Sequence, residues 1–204
     1  ISGYEPAKSK YVLYEDQVED ETVAATTNLS AQLSENIFLN AGAAFKKLKS
    51  HNSQQLLDLL GGSCFEDIDA FYNGDQSQSD LNNPDRQVGV GDTYGYNYNY
   101  FATTLEAFTQ FKFTYNKVDF YLAQHFARAD YQREGLYKNG IYATNSFGKS
   151  EKVVFENFGF KAGFNLKISG KQLVTFNAAH LTKAPSLRNT FANSRLNNSI
   201  VNDL

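Results

Sequence analysis

The side chains best suited to bind an ion lie between positions 67 and 75, where acidic and amide residues cluster. Asp67, Asp69 and Asp75, with an asparagine before the last, would supply oxygen ligands, which Ca²⁺ takes in sets of about six to eight. The spacing differs from that of an EF-hand loop, and no glutamate follows where that loop closes. The sequence therefore predicts a solvated acidic loop without a cofactor, and a calcium site is the alternative.

Three arginines are candidates for contact with a charged ligand. Arg128, Arg133 and Arg188 fall near the ends of predicted strands, where polar loops begin. A guanidinium presents a planar fork of N–H donors that matches carboxylates and phosphates. The pattern predicts either that the three side chains line a ligand mouth or that they bind lipopolysaccharide phosphates.

A run of tyrosines alternates with other residues between positions 94 and 100. Side chains two positions apart share one face of a strand. The alternating residues are Tyr94, Tyr96, Tyr98 and Tyr100. We interpret the run as part of an aromatic girdle at a membrane interface. In the alternative, Tyr96 and Tyr98 are stacking surfaces for a ligand.

No set of residues has the spacing of a catalytic centre. His51, His125 and His180 fall in a loop and on two different strands, and no pair has metal-ligand spacing. The single cysteine, Cys64, has no histidine beside it in the sequence. We therefore predict that the chain is not an enzyme. A net charge of -3 also disfavours a nucleic-acid partner, because such domains usually carry a basic excess.

The elements that must carry these residues show an alternation of apolar and polar side chains. A period of two is that of a β-strand, whose successive side chains point to opposite faces. The return strand of the third hairpin is compatible with either phase. The alternating segments are residues 23–33 and 37–45, 105–115 and 118–126, and 158–168 and 174–182, joined by turns at 34–36, 116–117 and 169–171.

The connections between these hairpins are long and polar: residues 49–96, residues 133–152 and the residues from 186 onward. Short turns at one end and long loops at the other are typical of transmembrane β-barrels. The aromatic content of 15% fits the aromatic girdles of such barrels. We therefore predict an all-β fold, an antiparallel transmembrane β-barrel segment of about six strands with short periplasmic turns and long extracellular loops.

The strands are predicted to belong to a larger barrel. The smallest outer-membrane barrels have about eight strands, and plugged transporters have about 22. A sheet of six strands in lipid would leave unpaired edges. The sequence contains no methionine, even at position 1. We therefore expect residues 1–204 to form part of a single barrel domain.

Five segments carry a further, family-level pattern. They are residues 80–86 (DLNNPDR), 145–152 (NSFGKSEK), 155–159 (FENFG), 182–191 (TKAPSLRNTF) and 193–198 (NSRLNN). Together they resemble the barrel of TonB-dependent outer-membrane receptors of the Bacteroidetes type.

The resemblance implies a large barrel in the bacterial outer membrane, closed by an N-terminal plug domain. Such receptors import scarce nutrients with energy passed on by a TonB-like protein. The implied nutrient is an iron chelate, an oligosaccharide or a peptide. The implied partners are outer-membrane lipid and the TonB-like energy transducer, which would act through a plug region that this sequence lacks.

Two other kinds of protein remain as alternatives. A small soluble β-barrel that binds an apolar ligand would turn the same apolar face inward. A secreted adhesive β-sandwich would have turns of similar length at both ends of each strand and would not need so many tyrosines and phenylalanines. The one-sided loop lengths favour the membrane barrel over both.

Overall fold

The computed structural model describes residues 7–201, which form an all-β chain. Two short helical turns interrupt the strands: a 3-10 helix at Gly74–Ser77 and α1 at Leu187–Thr190. Among these residues no helix is both long and apolar enough to cross a membrane. The strands are β1 (Leu13–Ser34), β2 (Ile37–Asp58), β3 (Phe65–Glu66), β4 (Gln87–Val88), β5 (Thr93–Thr114), β6 (Val118–Gly135), β7 (Gly148–Lys149), β8 (Val153–Ser169) and β9 (Gln172–Leu181).

The six long strands form one sheet in the order β1-β2-β5-β6-β8-β9, with antiparallel pairing throughout. The short strand β7 pairs with β6, and β3 pairs with β4 in a separate two-stranded sheet. The predicted all-β, antiparallel fold is confirmed. Within residues 7–201 the sheet is open, because β1 and β9 are its edges and do not pair with each other.

All three hairpins of the main sheet turn at the same end, as the sequence predicts. The turns are residues 35–36, 115–117 and 170–171. The connections at the opposite end are residues 59–92, residues 136–152 and the residues after 181. The asymmetry between short turns and long connections is therefore a property of the folded sheet.

The long strands extend further than the sequence predicts. β2 continues to Asp58 and β5 begins at Thr93, so the predicted loop at 49–96 is wrong at both of its ends. Residues 49–55 are polar on both faces, so no apolar period marks them as a strand. Backbone pairing with β1 on one side and β5 on the other holds them in the sheet.

The register places the predicted apolar positions on one face, called the apolar face here, and leaves the other as the polar face. Leu122 on β6 lies opposite Phe111 on β5 and Ala162 on β8. Phe176 lies opposite Phe164, which settles the phase of the third hairpin's return strand. The predicted apolar positions of the six long strands therefore form a single surface, whereas Phe38, Phe108 and Leu173 lie on the polar face.

The buried core lies where the long connections cover the polar face, beyond the short-turn half of the sheet. One cluster joins β5 and β6 to the segment after β9, and a smaller one joins β2 to β4 and β5. The buried members are Tyr96, Tyr98, Tyr100, Ala102, Ala129, Tyr131 and Phe191 in the first cluster, and Leu56, Val88 and Tyr94 in the second.

Candidate functional site

The apolar face is exposed along the short-turn half of the sheet. Leu122 is 53% exposed, Phe160 is 57% exposed and Ile168 is 59% exposed. Exposed apolar surfaces of this extent mark contact with a partner or with a membrane. The exposed large residues of this surface, called the apolar band from here on, are Leu29, Leu33, Phe45, Leu105, Phe111, Leu122, Phe158, Phe160, Phe164, Leu166, Ile168, Val174 and Phe176.

Charged side chains limit the apolar band on the side of the long connections. Arg128 forms ion pairs with Asp130 and Glu156, both at 3.3 Å, where the band ends on β6 and β8. From Val118 to Arg128 the strand makes ten residue steps (128 − 118), about 33 Å at about 3.3 Å per residue. At the strand tilt of a closed barrel, about 40°, this length would correspond to a height of about 25 Å. The apolar band of outer-membrane barrels is about 25 Å tall.

A row of aromatic rings crosses the apolar band near the short turns. Phe113 stacks on Phe120 with ring centroids 4.4 Å apart, and Phe164 stacks on Phe176 at 5.7 Å. The register joins the four rings in one row across β5, β6, β8 and β9. A row of rings at the edge of an apolar band is typical of a membrane interface.

The polar face of the same strands carries side chains that pair with each other across the sheet. Ser30 donates a hydrogen bond to Asn40 at 2.9 Å, and Tyr121 donates one to Asn177 at 3.0 Å. Gly163 leaves room for the Tyr121 ring, because a Cβ atom there would lie 2.6 Å from a ring carbon. The sheet therefore separates an apolar surface from a polar one at the same height.

A cavity of about 790 Å³ lies on the polar face beneath residues 182–186. The Tyr131 hydroxyl donates a hydrogen bond to the Pro185 carbonyl at 3.3 Å, which holds this segment over the sheet. His125 Nε2 lies 3.8 Å from Glu106 Oε2 inside the cavity. Its other polar or charged lining residues include Thr104, Gln110, Asn157, Lys161, Thr182 and Lys183.

The tyrosine run lies on the polar face, beyond the level of the apolar band. Tyr96, Tyr98 and Tyr100 are buried in the core cluster, so the interpretation of these three residues as an interfacial girdle is wrong. The Tyr96 hydroxyl donates to Asp16 at 2.7 Å, and the Arg195 guanidinium lies 4.8 Å from the Tyr96 ring centroid. Burial raises the pKa of Tyr98 to about 12. These rings pack against the chain's own residues.

Arg133 is 1% exposed and joins β6 to two of the long connections. Its Nε atom donates to the Ser194 carbonyl at 2.7 Å, and its Nη1 atom donates to the Ser146 carbonyl at 3.0 Å and to Asn198 Oδ1 at 2.5 Å. The guanidinium also lies 5.1 Å from the Tyr98 ring centroid. Burial lowers the pKa of Arg133 to about 10, so the group remains charged at neutral pH. The structure thus gives Arg133 internal partners at the place where the sequence predicts a ligand mouth.

The other two predicted arginines are exposed. Arg128 is among the residues around the cavity, but its guanidinium pairs with acids on the apolar face. Arg188 lies in α1 and forms no hydrogen bond or ion pair with another residue of the described range. The structure therefore places Arg128 and Arg133 on opposite faces of the sheet.

The acidic residues of the predicted calcium site have separate roles. Asp67 is 3% exposed and accepts hydrogen bonds from Arg86 at 2.5 Å and from the Gly95 amide at 2.7 Å. Asp69 accepts from a backbone amide two residues further on, and Asp75 lies exposed in the 3-10 helix. Across positions 7–201 no three His, Cys, Asp or Glu side chains are arranged to hold a metal ion.

Two residues of the cavity are not singled out by the sequence. Nothing in the sequence around Lys161 on β8 and Lys183 after β9 distinguishes them from ordinary surface lysines. The signal that could have found Lys161 is its place between Phe160 and Ala162, which assigns it to the polar phase of an alternating strand. Its position beside a cavity depends on the path of residues 182–186.

Comparison with known proteins gives no match to any protein-family model, curated protein or solved structure. The arrangement of apolar and polar surfaces on the main sheet is therefore the observation from which function is inferred.

Proposed function

We propose that this chain forms part of the wall of a β-barrel in a bacterial outer membrane, within a receptor that imports a nutrient by TonB-dependent transport. The apolar band carries the proposal. At the strand tilt of a barrel its length on β6 would correspond to a height of about 25 Å, charged residues limit it at one edge, and a row of aromatic rings lies near the other. Contact with lipid would remove this surface from water, which stabilises the protein by about 25 cal/mol per Å² of apolar area.

The backbone hydrogen bonding of the strands supports a position in the lipid bilayer. A backbone N–H or C=O group left unpaired in hydrocarbon costs several kcal/mol, so spanning strands must pair on both sides. The four inner strands of the main sheet meet this condition. The proposal requires that further strands of the same barrel pair with the free edges of β1 and β9.

The hydrogen bonds between the long connections support a role as a receptor. The Leu81 amide donates to the Lys138 carbonyl at 2.7 Å, which ties residues 59–92 to residues 136–152. The Asn198 amide donates to the Asn145 carbonyl at 2.8 Å, which adds the segment after β9. Ligand selection in barrel proteins is a function of such loops, because a rigid scaffold positions them.

The resemblance of the loop segments to TonB-dependent receptors supplies the finer part of the proposal. An iron chelate, an oligosaccharide or a peptide would be captured on the long connections. A TonB-like energy transducer would act through the plug domain of such a receptor. The wall segment itself would contact lipid on its apolar face and the transport path on its polar face.

Cysteine labelling in intact source cells tests the proposal. In a Cys64→Ser background, Phe71→Cys places a thiol in a long connection, where Phe71 is 94% exposed. Lys171→Cys places one in a short turn at the opposite end of the sheet. We expect a membrane-impermeant maleimide to label Phe71→Cys in intact cells, and Lys171→Cys only after the outer membrane is permeabilised.

Two outcomes would contradict the proposal. Equal labelling of both variants in intact cells would show that no membrane separates the two ends of the sheet. Recovery of the protein from the soluble fraction would favour a small ligand-binding barrel or a secreted β-sandwich, since both cover the apolar face within the molecule.

A further inference from the structure

Several lysines of the polar face have no partner. Lys46 on β2, Lys112 on β5 and Lys161 on β8 form no hydrogen bond or ion pair with any residue in the range 7–201. The same is true of Lys183, at the rim of the cavity. Each of the four side chains is exposed, so its ammonium group is available to a solute.

Acidic residues do not balance these lysines at the level of the apolar band. Glu106 is the one carboxylate among the described residues that line the cavity, and His125, 3.8 Å away, carries a charge only when protonated. Asp119 pairs with Lys167 at 2.9 Å, so its charge is already compensated. The polar face therefore carries an excess of positive charge beside the cavity.

This excess does not follow from the composition of the chain, whose net charge is -3. Acidic residues are concentrated in the half of β1 that extends beyond the apolar band. They are Glu15, Asp16, Glu19, Asp20 and Glu21. The fold thus separates an acidic region near the long connections from a basic region on the polar face, at the height of the band.

The cavity gives the basic region a site that is half open to solvent and has a largely apolar wall. Its volume of about 790 Å³ lies within the range of about 300–1,000 Å³ found for small-molecule pockets. Lys161 and Lys183 provide two ammonium groups on its wall, and Asn157 and Gln110 provide amide donors. Phe108 adds an apolar surface next to Gly42, where a Cβ atom would lie 2.5 Å from its ring.

We infer that this cavity binds a small solute with two or more negative charges, a phosphate ester or a polycarboxylate. A cleft with low-dielectric walls and an excess of one sign of charge concentrates solutes of the opposite sign, and here two lysines outnumber Glu106. Rings of lysine and arginine have this function in pores for anions and phosphate. The inference rests on the proposed function and deepens it, because it names the class of solute that would pass along the polar face.

Protection of lysines from acetylation tests the inference. The full-length protein, purified in detergent, would be acetylated with and without inorganic pyrophosphate, and in a separate series with citrate. Mass spectrometry would report the rate at each lysine. At a ligand concentration of about ten times the dissociation constant, we expect about tenfold slower acetylation of Lys161 and Lys183. Lys117 and Lys171, in the short turns, serve as internal controls whose rates should not change.

The two anions, the control solutes and the variants distinguish the possible ligands. Protection by pyrophosphate alone would assign a phosphate ester, and protection by citrate alone would assign a polycarboxylate. Glucose and the cation spermidine should give no protection. In Lys161→Gln we expect protection of Lys183 to be lost, whereas Lys171→Gln should preserve it.

Absence of protection by both anions would overturn the inference, as would equal protection of the turn lysines, which would reveal a general ionic effect. These outcomes are distinct from failure of the proposed function. Protection in a protein that fails the cysteine-labelling test would keep the anion site and remove the receptor. Correct labelling without protection would remove the anion site alone.

Discussion

The ring of Phe113 on β5 lies over the ring of Phe120 on β6, with centroids 4.4 Å apart and planes inclined by 12°. The register places Phe120 opposite Phe164, which stacks on Phe176, so the four rings form a row near the short turns. Aromatic rings concentrate at the interface between headgroups and hydrocarbon. In the proposed membrane placement, the row lies near one edge of the apolar band, and the ion pairs of Arg128 mark the other edge.

A charge in the apolar band should be costly on one face of the sheet only. Phe111 is 36% exposed near the middle of the band, and Gln110 beside it belongs to the polar face. We expect Phe111→Arg to destabilise the membrane-embedded protein by about 2–4 kcal/mol, and Gln110→Arg to cost much less. Urea unfolding in lipid vesicles measures both. Equal costs would mean that the two faces meet the same environment.

Loss of the Arg133 side chain should release the segment after β9. Arg133→Gln would leave the Ser194 and Ser146 carbonyls and the Asn198 side chain without this donor. Each buried polar group left unpaired costs about 1–3 kcal/mol. We expect faster amide hydrogen exchange in residues 190–198, and no change in Arg188→Gln, since Arg188 is exposed. Unchanged exchange in Arg133→Gln would show that other contacts hold this segment.

The buried tyrosines should make the protein sensitive to alkaline pH. Burial raises the pKa of Tyr94 and of Tyr98 to about 12, from an ordinary value of about 10. The folded state then binds more protons than the unfolded state, so the stabilisation is complete below pH of about 10 and is lost as pH rises through about 12. The lowered pKa of Arg133 has the opposite effect, because it makes stability increase with pH over the same range, but only one group contributes it.

Phenolate absorbance during a pH titration measures this effect. We expect a late phase in the folded protein, and a smaller amplitude of that phase in Tyr98→Phe. A late phase of full amplitude in Tyr98→Phe would contradict the assignment of Tyr98 to the buried cluster.

The Asp67 carboxylate should be needed for the fold of the long connection and not for calcium. Asp67→Asn would leave Arg86 without its counter-charge; because the Arg86 side chain is 27% exposed, we expect a cost below the value of about 3–5 kcal/mol for a fully buried pair. Asp75→Asn, at an exposed position, serves as the control. Thermal unfolding followed with Ca²⁺ and with a chelator should give the same midpoint for the unmodified protein. A rise in midpoint with Ca²⁺ that Asp67→Asn abolishes would restore the calcium alternative.

The strands of the sheet could be predicted because apolar and polar residues alternate along them. Over residues 105–115 and 158–168 the period of two fixes both the strand and the face of each side chain. Residues 49–55 carry no such period, since both of their faces are polar, and their strand conformation follows from pairing with β1 and β5. Pairing between distant strands leaves no trace in the local sequence.

The candidate site could be predicted only in part. The alternation of tyrosines between 94 and 100 shows that they share a face, but not which face, and the choice depends on how residues 182–200 fold over the sheet. The sequence does not distinguish Arg133 from the exposed Arg188, because both are arginines. Arg133 is buried because two distant connections fold over it and supply hydrogen-bond acceptors. Lys161 and Lys183 come together at the cavity for the same reason.

The most direct test of the central claim is a spin-label scan along β6, from residue 118 to residue 127, in the membrane-embedded protein. Collision rates with oxygen, which dissolves in lipid, and with a water-soluble nickel complex would be measured at each position. We expect the two rates to alternate with a period of two, with oxygen favoured at Leu122 and nickel at Ala123. Nickel access on both faces, or access to neither reagent at Leu122, would contradict a lipid-facing apolar band.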